Sequence, residues 1–185
     1  MNAGTTIRRA REDDAESIAR VRIEGWRTAY RGLVPQSSLD ALNVETSVPM
    51  WQRVLAAPTD RVTVYVAERD GGIVGFAAGN ALPEPRHGFD AELTAIHVVP
   101  GAQRQGLARR LTGAVAADRA AHGATGLIVW LLAGNRPARQ FCESLGAEVV
   151  AEQAFDWDGK ALVEVGCGWR DLRTLVAAAG LSALH

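Results

Sequence analysis

The segment "AELTAIHVVPGAQRQGLARRLTGAVAADRAAHG" (91–123) joins a strand pattern to a helix pattern through a glycine-bearing loop. Residues 91–99 are rich in β-branched residues and short enough for a strand. After the loop, Leu107, Leu111 and Val115 recur at helical spacing, and Gly123 ends the pattern. A strand that leads straight into an amphipathic helix is typical of sheets covered by helices, so this segment favours a mixed fold.

The rest of the chain alternates in the same way. Strand patterns occupy 5–10, 61–68, 73–79 and 126–132, with a final hairpin over 147–157 and 160–169. Helical patterns cover 12–30, capped by Asp13 or Asp14, then 38–57 with Pro49 near the start of its last helix, 135–146 and 171–184. The two-proline stretch 81–90 is expected to be a loop. We predict one α/β (α+β) domain over 1–170, extended by a C-terminal helix over 171–185.

Composition excludes several classes of function. The 185 residues suffice for a single core, and a net charge of −1 gives no overall attraction to nucleic acid or to an anionic membrane. The N-terminus has no apolar signal region, and no apolar run approaches the ~20 residues needed to span a bilayer. The two cysteines match neither a disulfide framework nor a zinc motif. We therefore expect a cytoplasmic protein without a metal, nucleic-acid partner or membrane partner.

The loop in "VVPGAQRQGLARRL" (98–111) has the features of a phosphate site. Gly106 stands where the helix begins, and free amides at a helix N-terminus attract anions. Gly106 and Ala108 leave room near the backbone, while Arg104 and Arg109 can add charge-assisted hydrogen bonds. No GK[ST] follows, so this is not a Walker loop. The three-glycine spacing is missing, so it is not the dinucleotide-binding fingerprint either.

Two motifs here resemble those of the GCN5-related N-acetyltransferases, the GNAT superfamily. Residues 103–108 (QRQGLA), preceded by 96–100 (IHVVP), are similar to its (Q/R)-x-x-G-x-(G/A) cofactor motif. Residues 135–146 (NRPARQFCESLG) are similar to its second motif, N-x-x-A-x-x-F-Y-E-x-x-G. The resemblance covers about residues 5–170. It implies a mostly antiparallel central sheet in which two parallel strands splay apart, with helices on both faces.

The resemblance also implies acetyl-CoA as acetyl donor and an amine as acceptor. The main chain of the strand before the loop would pair with pantetheine, and the loop and helix start would hold the pyrophosphate. The cofactor residues implied are Ile96, His97, Val98, Gln103, Arg104, Gln105, Gly106, Leu107, Ala108, Arg109, Asn135 and Arg139. Asn135 is also well placed to cap its own helix.

Transfer to an amine needs a base, and Glu92 is our candidate. It matches the position of the glutamate base in the histone-acetylating branch of the family, and apolar cleft walls would raise its pKa. Strand alternation predicts that Glu92, Ile96 and Val98 share one face and that His97, the rival base, lies on the other. His97 is otherwise expected to pack against a helix. The amide of Val98 or of a neighbour would stabilise the thioester oxygen.

Cys142 occupies the position of the family's tyrosine, whose hydroxyl protonates the leaving sulfur. Three interpretations stay open. Cys142 could be a weak acid acting through water, since a thiol has a pKa of ~8.5. It could instead be a small buried hydrophobe, with the thiolate leaving unaided or with a group such as Tyr30 helping. A covalent acetyl-cysteine is the third.

The segment "GWRTAYRGLVP" (25–35) is the candidate acceptor wall, because the first two helices line that side in the family. Glu24, Trp26, Arg27 and Tyr30 are the candidate contacts, although packing of the aromatics and solvation of the arginines would explain them equally well. The usual motif of the final strand is altered after Glu164. The C-terminal helix either docks on its own domain or forms a homodimer.

We predict an N-acetyltransferase that transfers acetyl from acetyl-CoA directly to a primary amine of a small molecule or peptide in a ternary complex. The missing tyrosine leaves open a catalytically weakened protein that binds acyl-CoA as a sensor. A transferase that uses a longer acyl-CoA is the third hypothesis.

Overall fold

The computed structural model describes residues 4–181. Within these residues, seven strands form one sheet in the order β1-β2-β3-β4-β5-β7-β6. The strands are β1 (Thr6–Arg9), β2 (Val62–Arg69), β3 (Gly72–Arg86), β4 (Phe89–Val98), β5 (Leu127–Leu132), β6 (Glu148–Trp157) and β7 (Lys160–Trp169). The helices are α1 (Ala15–Ala29), α2 (Gln36–Asp40), α3 (Val44–Leu55), α4 (Leu107–Ala121), α5 (Arg136–Ser144) and α6 (Leu172–Ala178). Within residues 4–181, β4 and β5 are the only strands that pair in parallel, so the expected mixed, mostly antiparallel sheet is confirmed.

Helices cover both faces of this sheet. On one face, which we call the α1 face, α1 and α3 pack on a core that includes Ile18 and Phe76. On the other, the α4 face, α4 and α6 pack on a core that includes Leu93, Leu111 and Val115. Because successive strand residues point to opposite faces, each central strand contributes to both cores, which holds the middle of the sheet rigid.

The parallel pair β4–β5 separates soon after it begins. Only Ala91 with Leu127 and Glu92 with Ile128 are in register, and the strands diverge beyond them. The remaining halves of both strands therefore turn unpaired main chain toward each other across a gap. This confirms the splayed pair that the family resemblance implied.

A β-bulge in β4 overturns the predicted arrangement of side chains. The β3–β4 register shifts by one residue, which leaves Thr94 without a partner on β3. Because side chains alternate between the two faces of a sheet, one extra residue moves every later side chain of the strand to the opposite face. Glu92 and His97 consequently lie on the same face, the α1 face, whereas Ile96 and Val98 belong to the α4 face. The prediction that Glu92 and His97 lie on opposite faces is wrong.

Three local predictions also need correction. Residues 81–90 are not a loop: β3 runs on to Arg86, and only His87 and Gly88 form the turn, both with positive φ. Pro49 lies in the interior of α3, because the side chain of Asn43 caps that helix well before the proline. Asp14 is the N-cap residue of α1 as predicted, but its side chain makes no capping hydrogen bond, since its carboxylate accepts hydrogen bonds from the Arg11 amide and from Arg8.

The C-terminal helix α6 docks on its own domain. Leu172, Leu175 and Val176 are buried in the α4-face core, and Gly113 on α4 lets Ala179 approach its backbone. The homodimer stays a prediction, and residues 182–185 of the predicted extension lie outside the described part of the chain. Across residues 4–181, the helices fall short of the length and apolar character that crossing a membrane requires.

Candidate active site

The gap between β4 and β5 opens into a cleft of about 480 Å³ that reaches from α5 to α1. Helix α1 can approach this closely because Gly25 lies directly on His97; a Cβ there would stand 2.5 Å from the imidazole Nδ1. The lining includes Arg22, Gly25, Trp26, Tyr30, Leu33, Thr94, Ala95, Ile96, His97, Val98, Gln103, Val129, Trp130, Leu131, Asn135 and Ala138. The predicted cofactor strand and two of the predicted acceptor residues therefore meet in one cavity.

The main chain of β4 presents free hydrogen-bonding groups to this cleft. The Val99 amide donates to Val74 of β3, so by antiparallel alternation His97 also pairs with β3 while Ile96 and Val98 turn toward β5. The Val98 carbonyl accepts a hydrogen bond from Gln103 Nε2 at 3.0 Å. The Val98 amide points into the cleft, which is the position required of an oxyanion donor or a pantetheine partner.

The loop before α4 has the shape of an anion cradle. Gly106 is the N-cap residue of α4 with φ +76°, and no side chain caps the helix, so its first amides are available to a ligand. A Cβ at Gly106 would meet no atom within 4 Å, which leaves open space where a phosphate would approach. Arg69 holds the loop by donating to Gln105 Oε1 at 2.6 Å. These residues fit a pyrophosphate.

Other predicted cofactor residues are placed differently. Arg104 is exposed in the loop with φ +60°, and Arg109 donates to the Ala178 carbonyl at 2.9 Å. Asn135 lines the cleft and also caps α5, because its Oδ1 accepts from the Ala138 amide at 3.3 Å. Arg139 does not line the cleft: its guanidinium donates to the Ala133 carbonyl at 3.4 Å.

Glu92 lies where β4 and β5 begin to separate, next to the bulge at Thr94. Its carboxylate is half-buried, and burial is the main cause that raises its pKa above the usual value. Arg86 opposes this shift and Glu164 adds to it. A carboxylate whose charge is destabilised in this way is a better proton acceptor than a solvated one.

His97 is held neutral beneath α1. Burial, assisted by the charge of Arg22, lowers its pKa to about 4. Its ring packs 5.6 Å from that of Phe76. This geometry supports the packing interpretation of His97 and makes it a weaker base than Glu92 at neutral pH.

Cys142 lies in the α4-face core with 1% of its surface exposed, and it does not line the cleft. Burial, with a smaller contribution from Cys167, raises the pKa of its thiol to about 12. Such a thiol is a poor proton donor, so the geometry favours the packing interpretation. Tyr30 does line the cleft, edge-on to Trp26 with ring centroids 5.0 Å apart, and burial raises the pKa of its phenol.

Only half of the predicted acceptor residues reach the cleft. Trp26 and Tyr30 line it, whereas Glu24 is exposed and lies outside it. Arg27 turns the other way and donates to the carbonyls of Leu39 at 3.4 Å and Leu42 at 2.9 Å. Its guanidinium therefore holds α1 against the segment that follows α2.

Sequence reasoning missed several lining residues, of which three carry polar or aromatic groups that bear on binding. Arg22 precedes Trp26 by four residues and Tyr30 by eight, so the helical stripe of these residues was a usable signal. Trp130 on β5 also lines the cleft, and it contacts His87 with ring centroids 5.5 Å apart. Thr94, which simple alternation placed on the face of Glu92, lines the cleft from the bulge itself. Over residues 4–181, no group of three or more His, Cys, Asp or Glu is placed to hold a metal ion.

Comparison with known proteins agrees with this geometry. Residues 25–147 match the model of the acetyltransferase (GNAT) family. An uncharacterized N-acetyltransferase of Bacillus subtilis (strain 168), YuaI, is 35% identical over 172 residues, which span 92% of this chain and 95% of that protein.

Solved structures share the fold at lower identity. The PaiA N-acetyltransferase from Thermoplasma acidophilum, in complex with coenzyme A, aligns with a TM-score of 0.71 and 16% identity over 88% of this chain and 98% of its own. A putative acetyltransferase, YncA, from Salmonella typhimurium, with acetyl-CoA, aligns with a TM-score of 0.68 and 17% identity over 90% and 94%. With its family model, its curated relative and its splayed cleft in agreement, the chain belongs to the GNAT family and is an acyl-CoA-dependent N-acetyltransferase.

Proposed function

We propose that this enzyme transfers the acetyl group of acetyl-CoA directly to a primary amine of a small molecule or peptide, with both substrates bound together. The observation that carries the proposal is the single cleft that joins the free main chain of β4 to the aromatic residues of α1. A donor held along β4 and an acceptor held under α1 would meet within this cavity. Such proximity removes much of the entropic barrier of a two-substrate reaction.

In this proposal the cofactor is held mainly by backbone groups. The amides around Gly106 at the start of α4 bind the pyrophosphate, and the main chain of Ile96 and Val98 pairs with the pantetheine arm. Asn135 uses its Oδ1 for the helix cap, so its amide nitrogen is the part that reaches the arm. We leave Arg139 out of the cofactor set, because its guanidinium contacts the Ala133 carbonyl.

The chemistry assigns one role to each of three groups. Acetyl-CoA supplies the thioester carbonyl that the amine attacks. Glu92, directly or through one water, removes the proton from the acceptor ammonium, whose pKa is near ~10. The Val98 amide donates to the carbonyl oxygen as negative charge develops on it. Tyr30, a phenol that faces the cleft, gives a proton to the leaving sulfur in place of the hydroxyl that position 142 lacks, and regains one from the attacking nitrogen as the amide forms.

One observation favours a second candidate function. Cys142 is buried and the family's tyrosine is absent, which weakens protonation of the leaving group and would suit a protein that binds acyl-CoA as a sensor. The half-buried Glu92 favours catalysis, because carboxylates whose pKa is raised by burial, at a cost in stability, are typical of active sites. A longer acyl-CoA is a variant of the first candidate.

Two measurements separate these functions. Calorimetry with acetyl-CoA, butyryl-CoA and octanoyl-CoA ranks the donors, and thiol release over a panel of amines, with mass spectrometry of the products, detects transfer. We expect tight binding of acetyl-CoA and an N-acetylated product. Tight binding with no turnover of any amine would instead support the sensor, and a clear preference for the longer chains would support the longer acyl donor.

A further inference from the structure

Arg22 is a half-buried arginine with no hydrogen-bond or ion-pair partner in residues 4–181. The other described arginines that lack such a partner are all exposed to solvent. Elsewhere in the chain, partly buried arginines are paired: Arg8 with Asp14 and Glu68, and Arg9 with Asp118. A partly desolvated cation without a partner is unfavourable, so a bound partner that is not part of the chain would stabilise it.

The position of Arg22 is fixed by its own helix. Its guanidinium carbon lies 4.4 Å from the centroid of the Trp26 ring, one helical turn away. This cation–π contact orients the guanidinium but leaves its N–H donors free. Arg22 lines the cleft beside Trp26 and Tyr30, so those donors are available to a molecule bound there.

Charges of both signs lie around the α1 side of the cleft. Arg22 lines the cleft, and its charge acts on His97 and Tyr30. The carboxylates of Glu92 and Glu164 are not among the lining residues; they influence each other, Arg86 acts on Glu92 with the opposite sign, and Glu164 also acts on Tyr30. A ligand with one ammonium and one anionic group complements this arrangement.

We propose that Arg22 binds a carboxylate of the acceptor, and that the acceptor class is therefore an amine that carries a carboxylate, such as a free amino acid. This rests on the proposed function, because it names the substrate of the same site. The planar guanidinium can hold a carboxylate through two parallel hydrogen bonds. With the carboxylate at Arg22, the amine is directed toward Glu92, where the proton must be removed.

The test uses matched pairs of acceptors and the full-length enzyme. Each of a panel of L-amino acids is supplied as the free acid and as its carboxamide, and kcat/KM is measured by thiol release for the wild type, Arg22→Gln and Arg22→Lys. The ratio of acid to amide is compared between variants, so the different basicities of the two amines cancel. Arg20→Gln is the control, since Arg20 is an exposed arginine of the same helix that pairs with Glu16.

We expect the wild type to prefer at least one free acid over its amide and Arg22→Gln to reduce that ratio by at least about tenfold, as loss of a charge-assisted pair implies. Arg22→Lys should retain part of it, and Arg20→Gln all of it. Calorimetry of the preferred amino acid on enzyme saturated with CoA should show the same loss of binding without turnover.

Other outcomes overturn the inference. Equal acid-to-amide ratios of kcat/KM in wild type and Arg22→Gln would show that Arg22 does not bind the carboxylate, while the enzyme would still be an acetyltransferase of amines. A weaker Kd for acetyl-CoA in Arg22→Gln would assign Arg22 to the donor instead. No turnover of any acid or amide would remove the proposed function itself, and with it this inference.

Discussion

Replacing His97 with asparagine should remove a pH-dependent loss of stability that the wild type shows below neutrality. The imidazole is buried beneath Gly25 of α1, and its pKa falls from the ordinary 6.5 to about 4. Between those two values the unfolded chain binds a proton that the folded chain does not. Stability from this group is therefore complete above pH 6.5 and is lost as the pH falls toward 4.

The size of the effect follows from the two pKa values. For one group with pKa 6.5 unfolded and about 4 folded, the free energy of unfolding drops by about 2 kcal/mol between pH 7 and pH 5. Most carboxylates titrate below this window. Glu92, whose pKa is raised by burial, acts in the opposite sense, but it does so in wild type and variant alike, so the comparison between them isolates His97. Asparagine is smaller than histidine, so the substitution itself changes the free energy of unfolding. That change is the same at every pH, because asparagine does not titrate.

The assay is urea unfolding at pH 7, 6 and 5. The m-value is compared across the three pH values, because a constant m-value indicates that unfolding stays two-state. We expect the wild type to lose about 2 kcal/mol over this range and His97→Asn to lose much less. His87→Asn, at an exposed turn, is the control and should follow the wild type. If His97→Asn kept the full wild-type slope, the neutral imidazole and the close packing of α1 on β4 would both be refuted.

The remaining predictions concern the loop before α4, Tyr30 in the cleft and the buried Cys142. Gly106→Ala should weaken acetyl-CoA binding at least about tenfold, because it strains a residue in the αL conformation and fills the space for the phosphate. Gly123→Ala is the control: Gly123 lies at the other end of α4 with φ +91°, so the substitution carries similar strain but should leave the calorimetric Kd for acetyl-CoA unchanged. Tyr30→Phe should lower kcat about tenfold or more with an unchanged Kd for acetyl-CoA; an unchanged kcat would remove Tyr30 as the acid. Cys142 should react with iodoacetamide at pH 8 about 1,000-fold slower than a thiol of pKa 9.0, since its own is about 12. Cys142→Ala should keep near-normal turnover, and a steep loss would restore the cysteine as the acid.

Local patterns were enough to predict most of the strands, the glycine at the start of α4 and the α5 cap, whereas the splayed pairing of the sheet was implied by the family resemblance. Gly106 begins a helix because glycine tolerates its positive φ, and Asn135 caps one because its side chain replaces a missing backbone acceptor. Both effects act within a few residues of the chain. They can therefore be read from a single sequence without knowledge of the fold.

The faces to which the side chains of β4 point could not be predicted in the same way. They depend on one extra residue, Thr94, and a bulge is set by pairing with β3 rather than by β4 alone. The role of Arg27 was missed for a similar reason, because its partners are the carbonyls of Leu39 and Leu42, 12 and 15 residues away. Arg22 became a candidate only when its lack of a partner was visible.

The most direct test of the account is the pH-rate profile of Glu92→Gln against the wild type, with whichever amine the screen identifies. We expect the wild-type kcat/KM to fall at low pH as the Glu92 carboxylate, whose pKa is raised by burial, becomes protonated. The variant should be slower by about 10²–10⁴-fold at neutral pH, the usual contribution of a general base, and should recover part of this at high pH, where the amine loses its proton unaided. A Glu92→Gln enzyme with wild-type rates at every pH would contradict the account.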